Sequence, residues 1–252
     1  MSVTVLMYHH VLKKSGFIAS SVDEFRDQMK FLAQNGYKSL SSAEFVAYKK
    51  GELSVPKKSA FITFDDGWKD NFIYAYPIIK EFNLKATIFL VAGWIEQASR
   101  KSGEFIELDH NEYKNAAPTR PEDVFLNYEE IAKMKECFDF HSHTYTHFDD
   151  YFGICEMKEN FTKCKEFMYK NFGFDDKLLC WPRGKFNDEL KNVAKSVGYE
   201  VFFTTKRGIN KPDGMLDDIR RIAVKKDANW LKKTLFIYQN DFLGSLYSTL
   251  KS

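Results

Sequence analysis

The sequence predicts an α/β fold, a distorted (β/α) barrel of about seven units, and three observations lead there. Apolar, strand-like runs alternate with helix-like segments along all 252 residues, the signature of parallel βαβ units. Seven or eight such runs occur, and with this length they favour a closed or nearly closed barrel over a doubly wound open sheet. Several runs also end abruptly in residues capable of chemistry, as expected where strand carboxyl ends form a ligand face. No Gly-x-Gly-x-x-Gly or Walker-type loop follows any strand, which argues against a nucleotide site.

The elements follow in order. Val3 to Tyr8 is a β-branched and apolar run that ends in His9-His10. Ser21 with Glu24 forms a capping-box pattern for a helix that Gly36 ends. Tyr37 to Leu40 reads as a short strand, and Ser42 opens a helix to about Lys50. Phe61 to Asp65 is the next strand. Asp70 is placed to cap the helix after it, whose Phe72, Tyr76, Ile79 and Phe82 recur at helical spacing. Ala86 to Val91 is a buried strand.

From Gly93 to Phe125 the pattern lapses into a polar stretch with Gly and Pro. So long a connection inside one domain is expected to be a lid-like insertion, at about 93–126, or a disordered excursion. Asn127 with Glu130 restarts a helix, Phe138 to Ser142 is a strand, and a helix runs from about Cys155 to Phe172. Strands at Leu178 to Trp181 and Val201 to Thr204 flank a helix from about Asp188 to Ser196. Ile219 to Val224 is the last strand, followed by an aromatic-rich helical tail. Without repeats or low-complexity linkers, residues 1–252 read as a single catalytic domain.

Composition narrows the function classes. The 44% apolar and 16% aromatic content supports a large core and excludes disorder by composition. A formal net charge of +2, with acids and bases mixed along the chain, implies no polyanionic partner, so no nucleic acid. No run approaches the ~20 apolar residues of a membrane span. With no signal-like segment at its start the chain reads as cytoplasmic, with association at the inner membrane face allowed. Cys137, Cys155, Cys164 and Cys180 form no Cys-x-x-Cys pair and read as buried free thiols.

Four stretches carry chemistry. Ala60 to Gly67 ends an apolar strand in two adjacent carboxylates, Asp65 and Asp66; alone, this is equally a turn with solvated acids. Phe138 to His147 holds three of the six histidines, and His143 and His147, four apart, can share one face. Two imidazoles plus a carboxylate suit a divalent metal that keeps an open position for water. Leu178 to Gly184 ends a strand in Pro182-Arg183-Gly184, where a main-chain amide can face a ligand or simply turn the chain. Tyr8-His9-His10 closes the first strand, and alternation does not decide which histidine points inward.

Together these stretches resemble the polysaccharide deacetylase family of metal-dependent sugar N-deacetylases. The resemblance is strongest over Thr63-Phe64-Asp65-Asp66-Gly67, Tyr76-Pro77-Ile78-Ile79 and Lys85-Ala86-Thr87-Ile88-Phe89. It extends to His143-Thr144-x-x-His147 and to Pro182-x-Gly184. It implies that Asp65 is the general base and that Asp66, His143 and His147 hold a divalent metal, with zinc the expected ion. The backbone N–H of Arg183 is then the oxyanion donor.

No histidine follows His147, so the family's late Leu-x-His acid motif is absent. That gap fits the subgroup resembling poly-N-acetylglucosamine deacetylases, in which a Tyr-His-x-[Val/Ile] motif near the N-terminus supplies the acid. Tyr8-His9-His10-Val11 points to His9 in that role, and Arg221 resembles the subgroup's late Arg that orients the base. His141 reads as supporting or structural, and Trp68 and Trp181 as core residues of a type that also stacks on sugar faces.

The expected activity is removal of an N-acetyl or N-formyl group from an amino-sugar in a glycan or in a lipid- or nucleotide-linked precursor. A non-catalytic glycan-binding protein on the same barrel, or a metal-dependent amidase acting on a non-sugar amide, are the alternatives.

Overall fold

Ten strands organise the computed structural model, which describes residues 2–149 and 156–250. They are β1 (Thr4–Tyr8), β2 (His10–Leu12), β3 (Ala19–Ser21), β4 (Lys38–Ser39), β5 (Ser59–Asp66), β6 (Ala86–Leu90), β7 (Phe138–Ser142), β8 (Leu178–Cys180), β9 (Val201–Phe203) and β10 (Ile222–Ala223). The main sheet runs β10-β1-β5-β6-β7-β8-β9, with β4 against the start of β5. Every pairing in it is parallel.

The ring is completed by the segment that leads into β10. Ile219 bridges Phe203 in parallel and exchanges backbone hydrogen bonds with Phe202 and Thr204. A few residues on, Leu6 and Met7 of β1 pair with Ile222 and Ala223. One short segment thus touches both edges of the sheet, as the predicted distorted barrel requires.

Alternation along the strands sorts the core into two layers. Val5, Phe61, Phe89, Cys180, Phe203 and Ile219 pack with one another in one cluster. Their neighbours Leu6, Ile62, Phe64, Ile88 and Leu90 pack instead against helical residues such as Phe25, Met29, Ile78 and Ile79. Asp65 continues the alternation of Phe61 and Thr63, so it belongs to the first layer.

Local signals act as read for most helices. Capping boxes at Ser21–Glu24 and Asn127–Glu130 open Val22–Gln34 and Tyr128–Met134. Gly51 and Gly173 end Ser42–Lys50 and Met157–Phe172 in the left-handed conformation that glycine tolerates. Cys155, expected to begin that last helix, lies outside the described residues.

One expectation is corrected, and two features had no readable signal. Asp70 makes no cap bond; its carboxylate is drawn instead to partners around His10. The short pair β2 and β3 lies outside the main sheet and has too few residues for a readable alternation. The stretch 93–125 is ordered, with short helices at Ala92–Ala98, His110–Ala116 and Pro121–Val124. These pack Trp94, Tyr113 and Phe125 around Trp68. Helices this short draw stability from tertiary packing rather than propensity, so they leave little periodicity to read. Among the described residues, no helix is long and apolar enough to cross a membrane.

Candidate active site

The carboxyl ends of the barrel strands bring the predicted residues together. Asp65, Asp66, His9, His143, His147 and Arg183 all line one cleft of about 340 Å³. Their placement draws on unusual backbone: Asp66, Thr144, His147 and Arg183 all have positive φ, between 56° and 76°. Such strain persists where surrounding structure over-determines it, and clusters at functional sites. Gly67 follows with φ +86°, and a Cβ there would meet Leu90 Cδ2 at 2.9 Å.

His143 Nε2 and His147 Nε2 lie 3.3 and 3.4 Å from Asp66 Oδ1, and one ligand atom from each of the three residues lies within 4.8 Å of the others. Each imidazole is held from behind. His143 Nδ1 donates to the Cys180 carbonyl at 2.8 Å, and His147 Nδ1 to the Asp149 carboxylate at 2.8 Å. Those bonds put the ring proton on Nδ1 and leave Nε2 with a free lone pair, the form a metal ligand needs. Trp68 Nε1 donates to Asp66 Oδ2 at 2.9 Å, which turns the other oxygen to the histidines. That oxygen, Oδ1, is buried and makes no hydrogen bond among the described residues. A buried carboxylate oxygen facing two bare imidazole nitrogens fits a divalent cation. Burial opposes charge on both groups, yet the surrounding histidines, His147 first, hold the Asp66 carboxyl well below its ordinary value, and Cys180 with the two aspartates holds His143 well above, so a bound cation would take the place of a proton on His143 Nε2.

A second group, Asp65, His143 and Cys180, is also compact, but a guanidinium occupies it. Arg221 donates to Asp65 Oδ1 at 2.6 Å and Oδ2 at 2.8 Å, and to Cys180 Sγ at 3.0 Å. Its Nε donates to the Thr204 carbonyl at 2.8 Å. A fixed positive charge there repels a metal ion. Burial raises the Asp65 carboxyl, but Arg221, His143 and His9 outweigh it and keep the group below the usual range. Asp65 is therefore an oriented carboxylate rather than an acid.

The structure separates the two N-terminal histidines. His9 Nε2 lies 3.7 Å from Asp65 Oδ2, outside hydrogen-bond reach and across the same cleft. Burial lowers its pKa, opposed by the two aspartates. His10 is fully buried and bonds Asp70 Oδ2 through Nδ1 at 2.8 Å. The chain turns between the two, sending them to different partners.

Arg183 sits at the mouth, its side chain paired with Asp149, which in turn holds His147. His141 is not part of the cleft: its Nδ1 bonds Asp176 at 2.7 Å, and Asp176 also takes the Ser142 amide and hydroxyl. Trp181 is core, buried among Phe161, Tyr199 and Phe202. Other cleft residues carried no readable signal, among them Asp149, Phe17, Trp94, His110 and Lys114. Two of them, His110 and Lys114, lie on the short helix His110–Ala116; the only local cue there is the capping box of Asp109 with Glu112. Of the four cysteines, Cys137, Cys164 and Cys180 are free thiols, and Cys155 lies outside the described residues.

The model of one family, described as polysaccharide deacetylase, matches residues 52–202, more than half of the chain. The chain belongs to that family. It is 29% identical over 257 aligned residues to a poly-beta-1,6-N-acetyl-D-glucosamine N-deacetylase of Staphylococcus epidermidis, covering 90% of this chain and 80% of the relative. Its 23% identity to the enzyme of the same name from Escherichia coli K12 covers 82% of this chain but only 34% of that protein. Among solved structures, the Streptococcus pyogenes deacetylase PplD in complex with acetate superposes with a TM-score of 0.76 at 24% identity, covering 93% of this chain and 98% of that one. IcaB from Ammonifex degensii gives 0.73 at 21% identity, over 95% and 97% of the two chains. At these identities the two structures speak for the fold, and the barrel of this family is the fold described above.

Proposed function

We propose that the protein is a metal-dependent hydrolase that removes the N-acetyl group from an amino-sugar in a glycan of the poly-N-acetylglucosamine type. The observation that carries the reading is the division between neighbouring carboxylates: Asp66 faces two bare imidazole nitrogens, while Asp65 is clamped by Arg221 and faces the open cleft.

Asp66, His143 and His147 would hold the divalent ion, with zinc favoured by the nitrogen-rich donor set. When bound, such an ion supplies Lewis-acid activation of a water at neutral pH. Asp65 takes the proton of the attacking water; Arg221 fixes its orientation and keeps it ionised. The main-chain N–H of Arg183, a residue that lines the cleft, would donate to the developing oxyanion. His9, across the cleft, delivers a proton to the departing amine nitrogen. The insertion at 93–126 borders the cleft through Trp94, His110 and Lys114, and shapes what enters it. A base beside a metal site has no use in a purely glycan-binding protein, which speaks against that alternative.

Release of acetate from a β-1,6-linked N-acetylglucosamine oligomer tests the reading. Activity is expected with zinc, lost on chelation, restored by metal, and absent in Asp65→Asn. Full activity in Asp65→Asn, or in the chelated protein, overturns it.

A further inference from the structure

A buried chain of hydrogen bonds leads from Asp70 to the cleft wall. Asp70 is fully buried, and its carboxylate accepts from three donors: the Val11 amide at 2.7 Å, Asn71 Nδ2 at 2.9 Å and His10 Nδ1 at 2.8 Å. His10 is clamped between rings, stacked on Tyr113 at 4.9 Å and tilted against Trp68 at 4.6 Å. Its other nitrogen, Nε2, lies 3.2 Å from His110 Nδ1. The proposed mechanism uses none of these groups.

The bonds order the protons along this chain. A carboxylate only accepts, so His10 donates through Nδ1, and a His10 ring that carries this one proton keeps a bare Nε2. A bare Nε2 can only accept, so the proton between the rings sits on His110 Nδ1. His110 Nε2 is left as an acceptor on a ring that lines the cleft. Free histidine prefers the opposite tautomer, with Nε2 protonated, so Asp70 acts on the cleft through His10.

We propose that His10 carries this single proton and that His110 is a substrate-binding residue that accepts a hydrogen bond from a sugar hydroxyl, its acceptor nitrogen set by Asp70 through His10. The sugar class rests on the deacetylase reading; the tautomer does not. Burial above all, with Lys114 nearby, pushes the His110 pKa down to about 4, so the ring stays neutral and able to accept across the working range. The exposed Phe17 ring lies 5.6 Å from His110, an apolar surface beside the acceptor that suits the face of a pyranose.

Two measurements decide it. Imidazole 15N NMR of the zinc-loaded protein is expected to show His110 protonated on Nδ1, with the Nε2 signal moving when β-1,6-linked N-acetylglucosamine pentamer is added. An Nε2-protonated His110, or an Nε2 signal indifferent to the pentamer, overturns the proposal whatever the activity. In steady-state kinetics, His110→Phe keeps a ring without an acceptor and is expected to raise KM about tenfold, with kcat nearly unchanged. His110→Gln restores an acceptor and is expected to stay within about threefold of the parent protein. Equal KM values for the Phe and parent proteins overturn the assignment. If the parent protein leaves the pentamer intact, the deacetylase reading fails, and the 15N spectrum still decides where the His110 proton sits.

Discussion

Replacing Arg221 tests how the proposed base is held. Its side chain is 1% exposed and makes two charge-assisted bonds to Asp65 at 2.6 and 2.8 Å, with a third to the Thr204 carbonyl. Arg221→Met leaves the Asp65 carboxylate buried and unpaired, and breaking one side of such a pair costs about 3–5 kcal/mol. For a domain of this size that lowers the Tm by about 6–20 °C. Arg221→Lys keeps the charge but cannot span both oxygens and Thr204, so its loss is smaller, about 1–3 kcal/mol. A double-mutant cycle with Asp65→Asn, read by urea unfolding, is expected to give a coupling of about 2–3 kcal/mol. Deacetylation by Arg221→Lys should fall mainly in kcat, because a displaced base is a transition-state defect. A coupling below about 0.5 kcal/mol, or unchanged kcat in Arg221→Lys, would refute the reasoning.

Four further outcomes are expected. Asp149→Asn weakens the hold on His147 Nδ1 and should lower zinc affinity about 10–100-fold in chelator competition; unchanged affinity counts against the ligand assignment. His9→Asn should lower kcat by about 10²–10⁴-fold at constant zinc content, whereas His10→Asn, outside the cleft, should not reproduce that split between turnover and metal content. Gly67→Ala meets Leu90 and Ile95 side chains at 2.9 and 3.1 Å in a left-handed conformation and should cost about 1–3 kcal/mol in urea unfolding; a stable variant would show that the strand end relaxes. Cys164 is fully buried, and burial pushes its thiol up to about 12. Alkylation followed by mass spectrometry should therefore label it only after unfolding.

The candidate site residues were legible because each sits where a strong local signal stops. Asp65 and Asp66 end an apolar strand, and His143 follows another. The division between the two aspartates came from resemblance rather than spacing; the structure supplies a physical basis in Arg221, which is 156 residues away from Asp65. His9 and His10 could not be told apart because β1 is buried on both faces, so alternation carried no information there. Asp70 looked like a cap because an acid before a helical period usually is one. Its true partner is 60 residues earlier, beyond any local pattern. The 93–125 stretch was illegible for a related reason: its three helices have seven, seven and four residues, too few to show a face, and aromatic packing holds them.

The segment that closes the ring has a consequence for synthesis. Asp65, Asp66, His143 and His147 all leave the ribosome well before Arg221, which arrives with the last two-residue strand. Until that segment docks against β1 and β9, Asp65 lacks the guanidinium that clamps both its oxygens. Burial raises the Asp65 carboxyl and Arg221 leads the groups that oppose it, so a barrel without this segment would leave Asp65 easier to protonate. The finishing of the circle and the clamping of Asp65 are one event.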